Sequence, residues 1–309
     1  MIGLIINPIS GVTGGAHAGG VRMDLARQLV SAVGADAEIV LTTARGDATR
    51  FAQTFVSRNF DRVIGWGGDG TMNEIAGPLY RSRTALGIVP SGSGNGLARS
   101  LGLPRDPERA LRTALERPVA AVDVGFLGDR HFLNVGGIGF DASVARDFNA
   151  GVRRGVLRYV IGGLSRVWSY RSEPYDITLG DETLSGERFL IAFANGREYG
   201  NGIVLAVDAD PMDGWLDVVV MSGGSVARQF WRASRALIGR RKPVDGVYRT
   251  RVTDASVSGP HLLAHVDGET FETSGTLNVR IDPGAIRIVG AGPAASGTMP
   301  TDAAARHDT

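Results

Sequence analysis

Apolar and polar positions follow two rhythms along this chain, and the change between them falls near residue 124. Before it, short apolar β-branched runs alternate with stretches of helical spacing. Ile2–Ile6, Glu38–Leu41, 61–66 and Ala85–Val89 read as strands. Gly20–Val33, Asp47–Ser57, 71–80, Asn95–Leu101 and Asp106–Leu115 read as helices, the last with Pro107 in its first turn. Such alternation predicts an α/β fold over 1–124, a doubly wound parallel sheet with helices on both faces. From Gly125 the pattern changes to short strands separated by turn residues, at 131–136, 175–179, 188–194, 203–207, 215–221, 251–258, 262–266, 276–281 and 285–289. These predict a β-rich antiparallel sandwich or barrel over 125–290, whose last strand has the option of returning to the first domain. Two helical segments, 156–170 and 225–239, interrupt it. Residues 291–309 are rich in Ala, Gly, Pro and Thr without periodicity, which predicts a disordered tail.

Composition narrows the function classes. The 309 residues carry a net charge of +1, which gives no reason to expect nucleic acid as a partner. No cysteine is present, so disulfides and thiolate metal sites are excluded. Five scattered histidines show no metal-binding spacing. Met1–Pro8 lacks a basic region and is too short for a signal peptide, and no stretch approaches the ~20 apolar residues of a membrane span. The expectation is a cytoplasmic protein. The single lysine, Lys242, precedes Pro243 and stands in neither a Walker-A nor a protein-kinase context. A phosphate-handling enzyme built from this chain would rely on glycine loops, helix dipoles, arginine and metal.

Gly67-Gly68-Asp69-Gly70-Thr71-Met72-Asn73-Glu74 sits between a strand and a helix, with Thr71 and Glu74 in capping-box spacing. Glycine allows close backbone approach, and a helix start presents unpaired N–H groups, so the segment reads as a phosphate cradle. Asp69 within it implies a bridging divalent cation, or a hydrogen bond to a nucleotide hydroxyl or to the loop backbone. A second loop, Pro90 to Arg99, repeats the strand–glycine–helix pattern. Asn7-Pro8, Thr42-Thr43, 67–70 and 91–96 all fall at carboxyl ends of predicted parallel strands, where ligands bind in such sheets. Together they indicate a nucleotide triphosphate site.

At this point the chain resembles a known family. Asn7-Pro8-Ile9-Ser10-Gly11, Thr42 with Gly46-Asp47-Ala48, Gly67 to Glu74, Pro90 to Leu103, Val122 to Gly125 and Phe132 to Asp141 match the diacylglycerol kinase catalytic family in order. Asp213-Gly214-Trp215-Leu216-Asp217 and Asp267-Gly268-Glu269 complete the match. That family includes bacterial lipid kinases and sphingosine kinases. The resemblance implies ATP bound between the two domains by Asn7, Thr42, Gly67, Gly68, Asp69, Gly70, Thr71, Met72, Asn73 and Ser93. It implies Glu269 as the general base on a lipid hydroxyl, with Asp69 and Asp123 associated with a catalytic Mg²⁺. It further implies a structural Mg²⁺ or Ca²⁺ on the Asp213 side chain and the carbonyls of Asp210 and Trp215. Without the resemblance, Asp-Gly-Glu reads as a hairpin turn and Asp208 to Asp217 as an acidic turn.

One departure stands out: Gly96 occupies a position that is acidic in many bacterial diacylglycerol kinases, and Ser93-Gly94-Asn95 looks more like the sphingosine kinase version. The function expected is an ATP-dependent lipid kinase, foremost of diacylglycerol, giving phosphatidic acid. The alternatives are a sphingoid-base or other long-chain lipid kinase, an NAD kinase-like enzyme, and a lipid- or nucleotide-binding protein without catalysis. Arginines alternate with Leu, Ile and Trp in 153–170 and 225–242, a pattern that suits peripheral contact with an anionic membrane face or simple packing on the sheet. A homodimer is compatible with the sequence.

Overall fold

A computed structural model describes residues 1–11, 15–150, 170–198, 204, 206–225, 227–229, 231–232, 235 and 243–292. The first half runs β1 (Ile2–Ile6), α1 (Ala16–Ala32), β2 (Ala37–Leu41), α2 (Asp47–Ser57), β3 (Arg62–Gly67), α3 (Asp69–Leu79), β4 (Ala85–Pro90), α4 (Gly96–Ser100) and α5 (Pro107–Glu116). Its strands pair in parallel in the order β2-β1-β3-β4. β4 is buried along its whole length and β3 from Val63 onward, as strands covered by helices on both faces must be. The helix α2 buries Ala48, Ala52 and Phe55, one stripe at helical spacing. Asp106 caps α5 by accepting from the Arg109 N–H, with Pro107 at the first helical position.

The second half contains β5 (Val119–Leu127), β6 (Arg130–Phe132), β7 (Val135–Gly139), α6 (Phe140–Ala150), β8 (Glu173–Leu179), β9 (Glu182–Ala194), β10 (Leu216–Ser222), β11 (Val247–Val252), β12 (Asp254–Val266) and β13 (Glu269–Val289). All its strand pairs are antiparallel. Because β8 pairs with both β9 and β12, while β7 joins the same two strands, β7, β8, β9 and β12 close into a ring. The fold is thus α/β followed by a β-rich antiparallel barrel.

β13 stitches the halves together. Its first part pairs with β12, its later part with β5, and Ile288 pairs in parallel with Leu86 of β4. Ala285, Ile286 and Ile288 consequently belong to the same apolar core as Phe55, Ile75 and Leu86. The barrel has its own core around Phe132, Phe193, Ile191 and Leu262.

Several elements differ from the sequence pattern. The β5 strand and the α6 helix are additions: β5 spans the expected domain boundary, and α6 lies where no element was expected. The expected strand 131–136 is interrupted at Leu133 and Asn134, between β6 and β7. Segments 276–281 and 285–289 form one strand, because pairing with β5 carries β13 through a register shift at Asp282 to Ile286 despite Pro283 and Gly284. Likewise 251–258 and 262–266 are redistributed between β11 and the long, irregular β12. α1 begins four residues early, where a Cβ on Gly19 would come within 2.8 Å of Pro8. Within 203–207, Val204 forms an isolated bridge with Glu198. Of the helix expected over 156–170 only Tyr170 is described, and it is not helical; the tail expected over 291–309 lies outside the described residues from 293 on. Of segment 225–239, residues 225, 227–229, 231–232 and 235 are described; all but Ser225 are helical. Arg232 there is buried and donates to the carbonyls of Ser222, Gly223 and Asp245, so it faces the fold rather than a membrane.

Candidate active site

Four loops at the carboxyl ends of β1 to β4 converge, held by a continuous set of hydrogen bonds. Asn7, after β1, donates from Nδ2 to the Thr71 hydroxyl at 3.0 Å and accepts from the Ile9 N–H. Arg22 of α1 clamps this turn, donating to the carbonyls of Asn7 and Ser10 and to Ser10 Oγ. Ser10 Oγ lies 2.6 Å from Ser91 Oγ in the loop after β4. That loop folds on itself, since Asn95 accepts from the Gly92 N–H and donates to the Gly92 carbonyl. The two glycine loops touch: a Cβ on Gly92 would lie 2.7 Å from the Gly68 Cα. Thr42 is buried after β2, and the Gly46 N–H donates to Glu74 across to α3.

The capping box expected from Thr71 and Glu74 is not formed. α3 starts two residues earlier, at Asp69 with Gly68 as its cap, so Thr71 and Glu74 bond to neighbouring loops instead. Met72, expected beside the nucleotide, is 3% exposed, and its thioether packs where a Gly65 side chain would be.

The backbone N–H groups of Leu97, Asn95 and Gly96 favour the charged form of Asp69. Its carboxyl is pushed up to about 6, first by desolvation and then by the charge of Asp267. A folded-state pKa above the unfolded value makes the folded chain the better proton binder. Asp69 therefore costs nothing below about pH 4, and its cost grows as pH rises to about 6, reaching about 3 kcal/mol at ~1.4 kcal/mol per unit. Chemical denaturation of the metal-free protein at pH 4.5 and 7 should show this loss, and Asp69→Asn should remove it. Equal pH slopes for both proteins would refute the assignment.

From the other half comes the hairpin joining β12 to β13. Asp267 and Gly268 take φ of 48° and 90°, left-handed conformations that turn the chain tightly. The Asp267 carboxylate accepts four N–H groups: those of Leu133, Asn134 and Val135 at 2.7–3.0 Å, and Asn73 Nδ2 at 3.0 Å. It thereby ties α3, the break between β6 and β7, and the hairpin together. Glu269 opens β13 rather than sitting free on a loop, and Arg45 of the β2–α2 loop donates to its Oε1 at 2.9 Å. The side chain of Glu269 is one-third exposed, on the face where the two halves meet. Sequence reasoning overlooked Asp267 as an anchor and Arg45 altogether; a turn acid and a loop arginine carry no periodic signal.

Asp123 lies on β5. Its buried carboxylate accepts from the N–H groups of Gly214 and Gly284, each at 2.7 Å. Its pKa is raised chiefly by burial, with smaller contributions from Asp213 and Asp210. The two carboxylates that the resemblance links to one Mg²⁺ thus face different loops. At the expected structural ion site, Asp213 Oδ1 accepts from the Trp215 N–H, and its Oδ2 lies 3.0 Å from Arg251. Arg251 also bonds to the Asp208 carbonyl and lies 3.3 Å from Asp217. The Asp213 carboxylate is thus already paired with a guanidinium. Among the described residues no group of three or more acids or histidines could hold a metal. Asp69 is different: no arginine or lysine pairs with it among the described residues, and its charge beside Asp267 fits a divalent cation arriving with nucleotide phosphates.

The fold explains Gly96. A Cβ there would lie 2.6 Å from Asn134 Nδ2 and 3.2 Å from the Glu198 carbonyl, and that amide is already bonded to Glu198 and Ser100. Gly96→Asp is expected to destabilise by about 1–3 kcal/mol through overpacking, without raising activity. Melting temperature and initial rates check this; a more active variant of unchanged stability would contradict it.

Phosphate-binding turns on a parallel sheet, faced by a carboxylate hairpin from a second half, define an enzyme of nucleotide-dependent group transfer. The description "Diacylglycerol kinase catalytic domain" matches residues 1–127, and "YegS C-terminal NAD kinase beta sandwich-like domain" matches residues 134–290. A probable lipid kinase YegS-like of Chromohalobacter salexigens is 35% identical over 236 residues, 74% of this chain and 76% of that protein. One of the same description from Pseudomonas aeruginosa is 29% identical over 280 residues, 89% of this chain and 91% of its own. The Bacillus subtilis diacylglycerol kinase is 29% identical over 234 residues, 74% of this chain and 77% of its own. A putative diacylglycerol kinase structure from Bacillus anthracis str. Sterne shares the fold, with a TM-score of 0.76, 24% identity, and coverage of 93% of this chain and 95% of the other. The chain belongs to the YegS-like lipid kinases of the diacylglycerol kinase family. It is a lipid kinase.

Proposed function

We propose that this kinase transfers the γ-phosphoryl group of ATP to the hydroxyl of diacylglycerol, giving phosphatidic acid. The observation that carries the reading is the placement of Glu269, on a hairpin tied through Asp267 to Asn73 of the glycine-loop helix. The two glycine loops and the start of α3 receive the phosphates through backbone N–H groups. Asn7, Thr42, Thr71 and Asn73 shape that cradle, and Ser93 lies in its second loop. Asp69 would hold Mg²⁺, which supplies charge neutralisation on the phosphates when bound. Arg45 reaches the same face and offers a second positive charge. Glu269 takes the proton of the lipid hydroxyl as its oxygen bonds to the γ-phosphorus, and the bond to ADP breaks in line. The Bacillus subtilis relative's designation supports diacylglycerol as acceptor.

Lipid access requires contact with a bilayer surface. Exposed Trp231, with Arg235 stacked at 5.7 Å from its ring and exposed Arg228 nearby, supports such contact. No helix among the described residues is long and apolar enough to cross a membrane.

The deciding experiment offers γ-labelled ATP and Mg²⁺ with diacylglycerol, sphingosine or ceramide in anionic vesicles, and NAD in solution, following vesicle co-sedimentation in parallel. Label in diacylglycerol supports the reading. Label in a sphingoid base alone would make this a sphingoid kinase, and label in NAD alone would overturn the lipid acceptor.

A further inference from the structure

A buried imidazole–carboxylate pair lies beneath the hairpin that carries Glu269, and phosphoryl transfer as described makes no use of it. His265 and Asp141 are 3% and 4% exposed. His265 sits near the end of β12, opposite Gly137 of β7 on one side and Thr270 of β13 on the other. Its Nε2 lies 3.1 Å from Asp141 Oδ2, and its Nδ1 lies 3.2 Å from the Gly268 nitrogen. An amide N–H can only donate, so Nδ1 is the acceptor and the ring proton resides on Nε2, where it donates to Asp141. The other Asp141 oxygen accepts from the Ala142 N–H at 2.8 Å, which seats the carboxylate at the start of α6. Gly137 makes room for the pair, since a Cβ there would collide with both Asp141 Oδ2 and His265 Nε2. The phenols of Tyr170 and Tyr175, which feel the Asp141 charge, are pushed upward chiefly by burial and stay neutral.

We propose that His265, held as its neutral Nε2–H tautomer by Asp141, is a positioning residue that sets the Asp267–Gly268 turn and thereby the carboxylate of Glu269. The inference rests on Glu269 being the base. Asp267 is a non-glycine residue with positive φ, a conformation that L side chains rarely adopt and that persists only where its surroundings impose it. Two clamps impose it. The Asp267 carboxylate is gripped by the 133–135 amides on one side, and the Gly268 N–H is gripped by His265 on the other. The second clamp is one residue from Glu269. Misplacement of a reacting group by about 1 Å costs about 10²-fold in rate. The chain α6–Asp141–His265–Gly268 thus transmits the rigidity of the barrel to the base.

Two amide substitutions separate the ends of the ring. Asparagine places its carbonyl oxygen near the site of Nδ1, so His265→Asn retains an acceptor for Gly268. Glutamine reaches to the site of Nε2, so His265→Gln retains a donor for Asp141 and loses that acceptor. Turnover of Mg²⁺-ATP with the accepted lipid, KM for ATP and melting temperature are measured for both, with Glu269→Gln alongside. We expect kcat of His265→Gln to fall about 10- to 100-fold with KM for ATP unchanged, and His265→Asn to recover most of the loss even if it melts lower. A His265→Gln variant with wild-type kcat, or kcat losses that follow melting temperature in both variants, would overturn the proposal. If Glu269→Gln keeps wild-type turnover, the base assignment fails, and the positioning role fails with it. If Glu269→Gln is inactive while His265→Gln is normal, the positioning role alone fails.

Discussion

Replacing Glu269 with glutamine is expected to lower kcat for lipid phosphorylation by about 10³-fold while leaving ATP affinity and the fold intact. Glutamine preserves the shape of the side chain and an oxygen for Arg45, but it cannot take a proton from the lipid hydroxyl. The Arg45–Glu269 contact joins an arginine that is 81% exposed to a carboxylate that is one-third exposed. Such a pair is screened by water and contributes at most about 1 kcal/mol, so the melting temperature should move little. None of the described hydrogen bonds of the glycine loops involves Glu269. Initial rates of label transfer, ATP binding by calorimetry and a melting curve test the three parts separately. A variant within tenfold of the wild-type kcat would show that another group accepts the proton. Loss of ATP binding would show that Glu269 serves the nucleotide instead.

The largest loss of stability is expected from Asp267→Ala, about 3–5 kcal/mol, or a fall of roughly 10 °C in melting temperature. Four donors converge on this carboxylate, three of them consecutive backbone N–H groups at the break between β6 and β7. Removing the acceptor leaves those donors poorly solvated, each costing about 1–3 kcal/mol where burial is complete. One effect works the other way: the charge of Asp267 is the second cause of the raised Asp69 pKa, so its removal relieves repulsion. The variant should consequently show a weaker decline of stability between pH 4 and 6 than the parent. Asp267→Asn, which keeps one carbonyl acceptor, should fall between the two. Denaturation of Asp267→Ala at the parent's midpoint and with the parent's pH slope would contradict the assignment of this residue as the anchor between halves.

Much of the nucleotide side was legible locally. Glycine loops after β3 and β4 announce themselves because an apolar β-branched run, a glycine turn and a helix start are consecutive in the chain. Thr42 and Asn7 could be placed with them because every parallel strand ends on the same edge of the sheet. Met72 could not be sorted from its neighbours, because which residue of a helix's first turn faces the core depends on where that helix begins. The start of α3 at Asp69 rather than Thr71 turned Met72 inward. The surroundings of Asp123 were hidden for a related reason. Its place on β5 was invisible, and the partners that define it, Gly214 and Gly284, are 91 and 161 residues away.

What the amino-acid sequence determined alone is most of the order of elements, the change from a wound parallel sheet to antiparallel strands, and the positions of the glycine turns. These depend on period, turn chemistry and helix starts, all properties of residues within about ten positions of each other. The tertiary structure alone decided that β13 runs through Pro283 and Gly284 to share the core of the first half, because only the facing β5 could continue its pairing across a bulge. It alone set Arg45 on Glu269 and Asn73 on Asp267, contacts spanning 224 and 194 residues. It also placed Arg251 among the acids of 208–217, where the family resemblance implied a metal ion. Charges so far apart in the chain choose their partners only when strand register brings them together, and register is a property of the folded sheet.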